Sequence, residues 1–468
     1  MTGKTVIDVW VADLTFPGYM DRWHALAADF EKLHPEFTVN VEGRDFRNLS
    51  VEIAEAAAAG RPPAVAEYYF AVTRAARDSQ NDKGEPLFTS VERAIAGRTE
   101  ILGEPVVIDD IHPAVREYYT YGGDLTSMPT VATAMLTYGN ADVLKAAGVE
   151  ELPRTWDELR QACEKVAQLD GGPSHGVTWS NHGLFFQQAI AVQSGQLADR
   201  DNGRAGEART VDLSTPEMLA FAEWWQQLHA AGHYLYTGQI PGWEANLKAW
   251  AGQDVALRIT SSNDLNYMAQ AAENAGFDMV VGRFPRRDGL PYGGNIIAGT
   301  SLWLTGGLDT VVEDGALAFL QFINNPRNAA DRHKASSFVP LTRSAFRLLE
   351  EEGWFDEHPW HRLASEQLGS YPEDSPGEGA PPCVGALFGD FAGVQDVMTR
   401  AMGDVMTEGA DITGRFAEAT AEAQRLLDAY HADAAVAGPR NPASLRVEYF
   451  RDAELYTGAN LENAVRAD

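Results

Sequence analysis

Histidines, cysteines and clustered aromatic residues are the side chains of this sequence with which chemistry could be done. The histidines are scattered: His112 precedes Pro113, His175 and His182 flank the strand-like VTWSN, and His333 sits in a helical stretch. Cys163 and Cys383 are the only cysteines and form no CxxC pair, so neither a zinc site nor a disulfide framework is indicated. Cys163 falls on the apolar face of the helical TWDELRQACEKVAQL, where a buried free thiol is expected. GxSxG, GxGxxG, Walker A and HExxH are all missing, and GGNIIAG has glycines without phosphate-loop spacing. No metal and no cofactor is expected. Aromatic residues cluster instead, in EYYF at 67–70, in Trp224 and Trp225, and around Trp243. Adjacent Trp224 and Trp225 cannot share one helical face, so one of them is expected at the surface.

Acidic residues outnumber basic ones 67 to 37, and the formal charge of −30 at pH 7 repels phosphate backbones and anionic membranes. Nucleic acid is excluded as a partner on that ground. No stretch approaches the roughly 18 apolar residues that span a bilayer. At 468 residues the chain is long enough for two cores.

The elements that must position these residues alternate. VIDVWVADL reads as a strand, MDRWHALAADFEKLHP as a helix stopped by Pro35, and FTVNVEG as a second strand, the start of an α/β sheet. The middle is helix-rich. Thr155 with Glu158 forms a capping box, and Ser214 or Thr215 caps a helix with Pro216 in its first turn and Gly232 at its end. Strands return at DVALRIT, FDMVVGRFP and NIIAGTSLWLTGG. A Gly/Pro/acidic loop is expected near 371–382, and one amphipathic helix through MTEGADITGRFAEATAEAQRLLDAY.

Several segments, in this order, resemble the extracellular solute-binding proteins of the maltose-binding type, and within them the glycerol-3-phosphate-binding branch. They are LTYGNADVLKAAGVEELPRTWDELRQACEKV, ALRITSSNDL, NIIAGTSLWLTGG, ALAFLQFINNPRNAADRHKASSFVPLTRSAF and EEGWFDEHP. The resemblance implies a two-lobed type II periplasmic-binding-protein fold of α/β class, with a hinge and a ligand cleft. Residues 1–136 with 293–342 are expected to form one lobe, 137–292 with 343–430 the other, and 431–468 a tail. Hinge crossings are expected near Leu136–Asn140, Tyr292–Ile297 and Pro340–Ser344. The implied function is the solute-binding component of an ABC importer, a monomer that hands its ligand to a permease.

Carried over residue by residue, the cleft departs from the branch it resembles. Phe46 keeps an aromatic after the second strand. Phe70, beside Tyr69, replaces a carboxylate, and Asn181 and Leu184 replace a pair of tryptophans. Thr133 and Ser261 or Ser262 keep hydroxyls, Gly299 keeps a point of backbone approach, and Phe338 replaces a tyrosine. Trp243 is the further aromatic expected at the cleft. Leu387 stands where an arginine meets the phosphate. Phosphate needs a guanidinium fork, a lysine or a helix N-terminus, so a neutral, sugar-like or cationic ligand is expected.

The chain passes almost at once into a strand, with no charged and apolar leader in its opening residues. Two readings follow. With a leader removed the protein is extracytoplasmic. With Met1 as the native start it is a cytoplasmic enzyme or sequestering protein on the same fold, whose acid-base candidates are His182, Asp264, Tyr69 and Asp390.

Overall fold

The alternating TVIDVWVAD forms the strand Thr5–Asp13, which buries Ile7, Val9 and Val11. The helix Tyr19–Leu33 then carries the chain back to the strand Phe37–Asp45, which pairs in parallel with the first from Thr5↔Phe37 to Asp13↔Asp45. A parallel pair requires such a crossover. In this computed structural model the described residues are 3–14, 18–240, 242–369 and 385–435. Cys383, the acidic loop near 371–382 and the tail beyond 435 lie outside them.

Two sheets organise the chain. The first is six-stranded, in the order Phe37–Asp45, Thr5–Asp13, Val65–Tyr69, Ala298–Thr305 and Phe88–Thr89, with Met128–Thr133 also paired to Ala298–Thr305. The second holds His175–Thr178, Val255–Ser261, Met135–Asn140 and Met279–Arg283. Every residue of Met135–Asn140, Val255–Ser261 and Ala298–Thr305 is buried, as expected for strands covered by helices on both faces.

The chain changes sheet at Ala134, between the strands Met128–Thr133 and Met135–Asn140, and returns between Arg283 and Ala298. Ser262 pins the first passage: its N–H donates to Ala134 O (2.8 Å) and its Oγ accepts from Ala134 N (3.1 Å). The second is held by amides, since Tyr292 donates to Asn295, Gln188 bonds Asn295 and the Ile296 N–H, and Gln367 bonds Phe284 and Met135. Gly299 is needed beside this passage. Its φ is +154°, and a Cβ would stand 1.9 Å from Val131 O.

The capping box at Thr155 and Glu158 is present, and Thr215 rather than Ser214 caps Pro216–Ala230. Two expectations change. The segment from Met406 to Tyr430 is two helices, Phe391–Glu408 and Ile412–Ala435, because Gly409 takes a left-handed conformation and Asp411 accepts the Gly414 N–H. Neither adjacent tryptophan is exposed. Trp225 is fully buried, and the Trp224 ring lies between Trp156 (4.9 Å, 15°) and Trp179 (5.4 Å, 8°). The buried face carries Met218, Phe221, Ala222, Trp225 and Leu228, and Trp224 is half-buried beside it because the rings of Trp156 and Trp179 cover it.

Candidate functional site

The strand Val65–Tyr69 and the short turn Phe70–Val72 after it carry three consecutive rings, of which Tyr68 and Tyr69 diverge by alternation. Tyr68 turns toward Phe88 and Trp303. Tyr69, half-buried, stands edge-on to Phe46 at 5.0 Å and to Phe70 at 4.5 Å, so the ends of two strands present one aromatic cluster. Phe70 is buried and also meets Tyr118 (6.3 Å) and Phe391 (6.4 Å). The Tyr118 hydroxyl reaches the carbonyls of Phe70 (3.1 Å) and Ala386 (3.0 Å), tying the cluster to the segment before the helix Phe391–Glu408.

Asn181 and His182 open the helix Gly183–Ala191. His182 caps it, with Nδ1 accepting the Leu184 N–H at 3.1 Å, and burial lowers its pKa to about 3. It is therefore a neutral capping group under Trp243, whose ring lies 5.2 Å away and also meets Phe185. Asn181 Nδ2 donates to Thr399 O at 2.9 Å, and Leu184 is buried in the main apolar cluster. Two further acid-base candidates serve the fold. Asp264 pairs with buried Arg258 at 3.0 Å and accepts from Thr260, while Asp390 caps Phe391–Glu408 by accepting the Gly393 N–H. Tyr69 belongs to the aromatic cluster.

Among the hydroxyls, Thr133 Oγ1 donates to Ala298 O (3.4 Å) and Ser262 holds the passage at Ala134. Ser261 differs: its Oγ is buried and has no hydrogen-bond partner among the described residues. Phe338 lines a cavity of about 120 Å³ with Tyr19 and Arg22 on one side and Asn266 and Tyr267 on the other. Arg22 donates to Ala335 O (3.3 Å) and is the one charged residue of that lining among the described residues. Leu387 is buried, its N–H bound to Asn202 O, and Gly203 lies close enough that a Cβ there would stand 2.8 Å from Leu387 O.

Sequence reasoning did not single out Glu67, Arg22 or the helix face that carries Phe391 and Gln395. Glu67, inside the apolar run AVAEYYF, accepts the Ala12 N–H (2.8 Å) and the Thr300 hydroxyl, and burial pushes its carboxyl up to about 7. An acid within such a run was the available signal. For Phe391 and Gln395 the signal was their spacing of four in a helical stretch.

Two helix-covered sheets, joined by polar-pinned passages with aromatic and hydroxyl groups gathered beside them, define a two-lobed solute-binding protein of type II fold. Known structures share that fold. The cyclic alpha-maltosyl-1,6-maltose binding protein from Arthrobacter globiformis superposes with a TM-score of 0.71 at 17% identity, over 91% of this chain and 99% of that one. UgpB from Mycobacterium tuberculosis, solved in complex with glycerophosphocholine, gives 0.66 at 17% identity over the same shares. The chain belongs to the bacterial extracellular solute-binding protein family, whose pattern matches residues 25–359. Its sequence is 26% identical over 392 residues to the sn-glycerol-3-phosphate-binding periplasmic protein UgpB of Salmonella typhimurium, covering 82% of this chain and 84% of the relative. Proteins of this family bind small molecules and work with ABC permeases, and this chain is such a solute-binding component.

Proposed function

We propose that the protein captures a neutral or cationic, hydroxyl-bearing small molecule between lobes formed by 1–136 with 293–342 and by 137–292 with 343–430. It acts as a monomer outside the cytoplasmic membrane and delivers its ligand to an ABC permease. The lobe division is supported by the strand assignment, because one sheet draws its strands from 5–133 and 298–305 and the other from 135–283. Phe46, Tyr69, Phe70 and Phe338 supply faces for a sugar's C–H groups or for a cation, and Thr133, Ser261 and Asn181 supply polar contacts.

The observation that carries the ligand class is Leu387. A buried leucine gives a phosphate no guanidinium, and the carboxylate of Asp390 caps the neighbouring helix start, where an anion would otherwise be welcome. An unpaired phosphate in a closed cleft is very costly. Native mass spectrometry of the purified protein should therefore reveal a neutral or cationic co-purified molecule. Calorimetric titration with glycerol 3-phosphate should give a dissociation constant weaker than about 1 μM, roughly −8 kcal/mol. Tighter binding of that anion would overturn the assignment.

A further inference from the structure

One face of the helix Phe391–Glu408 runs from the aromatic cluster to Asn181. Phe391, Gln395 and Thr399 are spaced by four and so lie on that face. The Phe391 ring meets Phe70, and the Thr399 carbonyl takes the Asn181 amide. Between them Gln395 lies on the backbone of Gly183, where a Cβ would stand 2.7 Å from Gln395 Cβ and 2.8 Å from its carboxamide carbon. Gln187 follows Gly183 by one turn of the helix Gly183–Ala191, on the side that Gln395 covers.

Both glutamines are out of water, at 3% exposure for Gln187 and 0% for Gln395. The Oε1 and Nε2 of each have no hydrogen-bond partner among the described residues. Other buried amides of the fold behave differently. Gln188 bonds Asn295 and Ile296, and Gln367 bonds Phe284 and Met135. An amide left unpaired in the interior loses its hydration without compensation, so buried polar groups of this kind call for an explanation.

We propose that Gln187 and Gln395 form the polar end of the ligand site and bind hydroxyl groups of a polyol or sugar. The inference rests on the solute-binding reading above and extends it to two residues that the resemblance does not assign. A carboxamide offers donor and acceptor side by side, and a hydroxyl can accept from its N–H or donate to its carbonyl, so hydroxyl groups suit both of its ends. A phosphate or carboxylate, acceptor only, pairs with the amide nitrogens and leaves both carbonyl oxygens facing negative charge. The amides thus select for neutral hydroxyls, while the aromatic cluster at Phe70 holds the apolar or cationic part.

The test uses the full chain with Gln187→Leu and Gln395→Leu, which keep much of the side-chain bulk and remove the polar atoms, beside Phe338→Ala. Glycerol, maltose and choline serve as probes in thermal unfolding and calorimetry. Without probe, both leucine variants should unfold at a higher temperature than the wild type, because orphaned polar atoms have been removed. Toward any probe that the wild type binds, they should lose about tenfold to a hundredfold in affinity, the effect of leaving one or two ligand hydroxyls without partners. Unfolding at the same or a lower temperature would show that the amides support the fold, and unchanged affinity would show that they do not meet the ligand. Either result overturns the inference. A wild type that binds none of the three probes counts against the proposed ligand class, and the unfolding temperatures then decide on the amides alone. Loss of binding in Phe338→Ala with retention in both leucine variants overturns this inference and leaves that class standing.

Discussion

Replacing Glu67 by glutamine should flatten the pH dependence of the protein's stability. The carboxyl is 1% exposed inside the strand Val65–Tyr69, where it accepts the Ala12 N–H and the Thr300 hydroxyl and so joins three strands of the first sheet. Burial raises its pKa from 4.5 to about 7, against the opposing pull of those two hydrogen bonds and of the Arg332 charge. In the unfolded chain the group returns to its ordinary value. Between pH 4.5 and 7 the folded protein thus holds a proton that the unfolded chain has released, and stability falls as pH rises. This contribution is fully present below 4.5 and lost above 7. At about 1.4 kcal/mol per pH unit, the loss across the window is about 3 kcal/mol. Glutamine does not ionise. Its carbonyl can still accept from Ala12, and its amide can donate to the Thr300 oxygen. Urea midpoints measured across the window should converge for the two proteins at its acid end and separate toward neutral pH, where the glutamine variant is the more stable by about 3 kcal/mol. Other groups titrate in both proteins and cancel in the difference. Parallel stability curves would refute the reasoning, because they would mean that the Glu67 carboxyl has the same proton affinity folded and unfolded.

Phe338→Ala should weaken ligand binding by about 1–3 kcal/mol and lower the urea midpoint less than Phe70→Ala does, since Phe338 stands apart from the main apolar cluster in which Phe70 also packs. Phe70→Ala, inside that cluster, should lower the midpoint strongly, and equal effects of the two changes would count against the cavity at Phe338. Trp224→Ala removes the middle ring of a three-tryptophan stack and should cost about 3–5 kcal/mol of stability in urea unfolding while leaving affinity unchanged. Burial pushes the Cys163 thiol up to about 12, so a Cys383→Ser variant should resist a thiol reagent at neutral pH until it is unfolded; labelling of the native protein would contradict that burial.

Local pattern made much of the fold legible. The capping box at Thr155, Pro216 after Thr215, the alternation in TVIDVWVAD and the strand-like run DVALRIT all lie in the elements their residue types favour. The single helix expected through Met406 to Tyr430 failed for an equally local reason, because Gly409 and Asp411 together make a stop and a start that apolar periodicity alone does not register. The tryptophan pair failed for a non-local one. Trp224 is sandwiched by Trp156 and Trp179, which arrive from other elements.

The candidate site divides the same way. By itself the sequence determined the alternating α/β elements, the family resemblance and the types of residue at the candidate positions, because propensity, periodicity and motif order are local properties of the chain. Only the tertiary structure decided what each side chain is committed to. His182 and Asp390 cap helices, Asp264 pairs with Arg258, and Ser262 pins a passage between sheets while the hydroxyl of Ser261 has no hydrogen-bond partner among the described residues. Gln188 and Gln187 are neighbours of the same type, yet one is bonded across the passage at Asn295 and the amide of the other has no hydrogen-bond partner among the described residues. Hydrogen-bond satisfaction depends on which distant groups converge on an atom, and residues far apart in sequence converge only once the two sheets and their helices have packed.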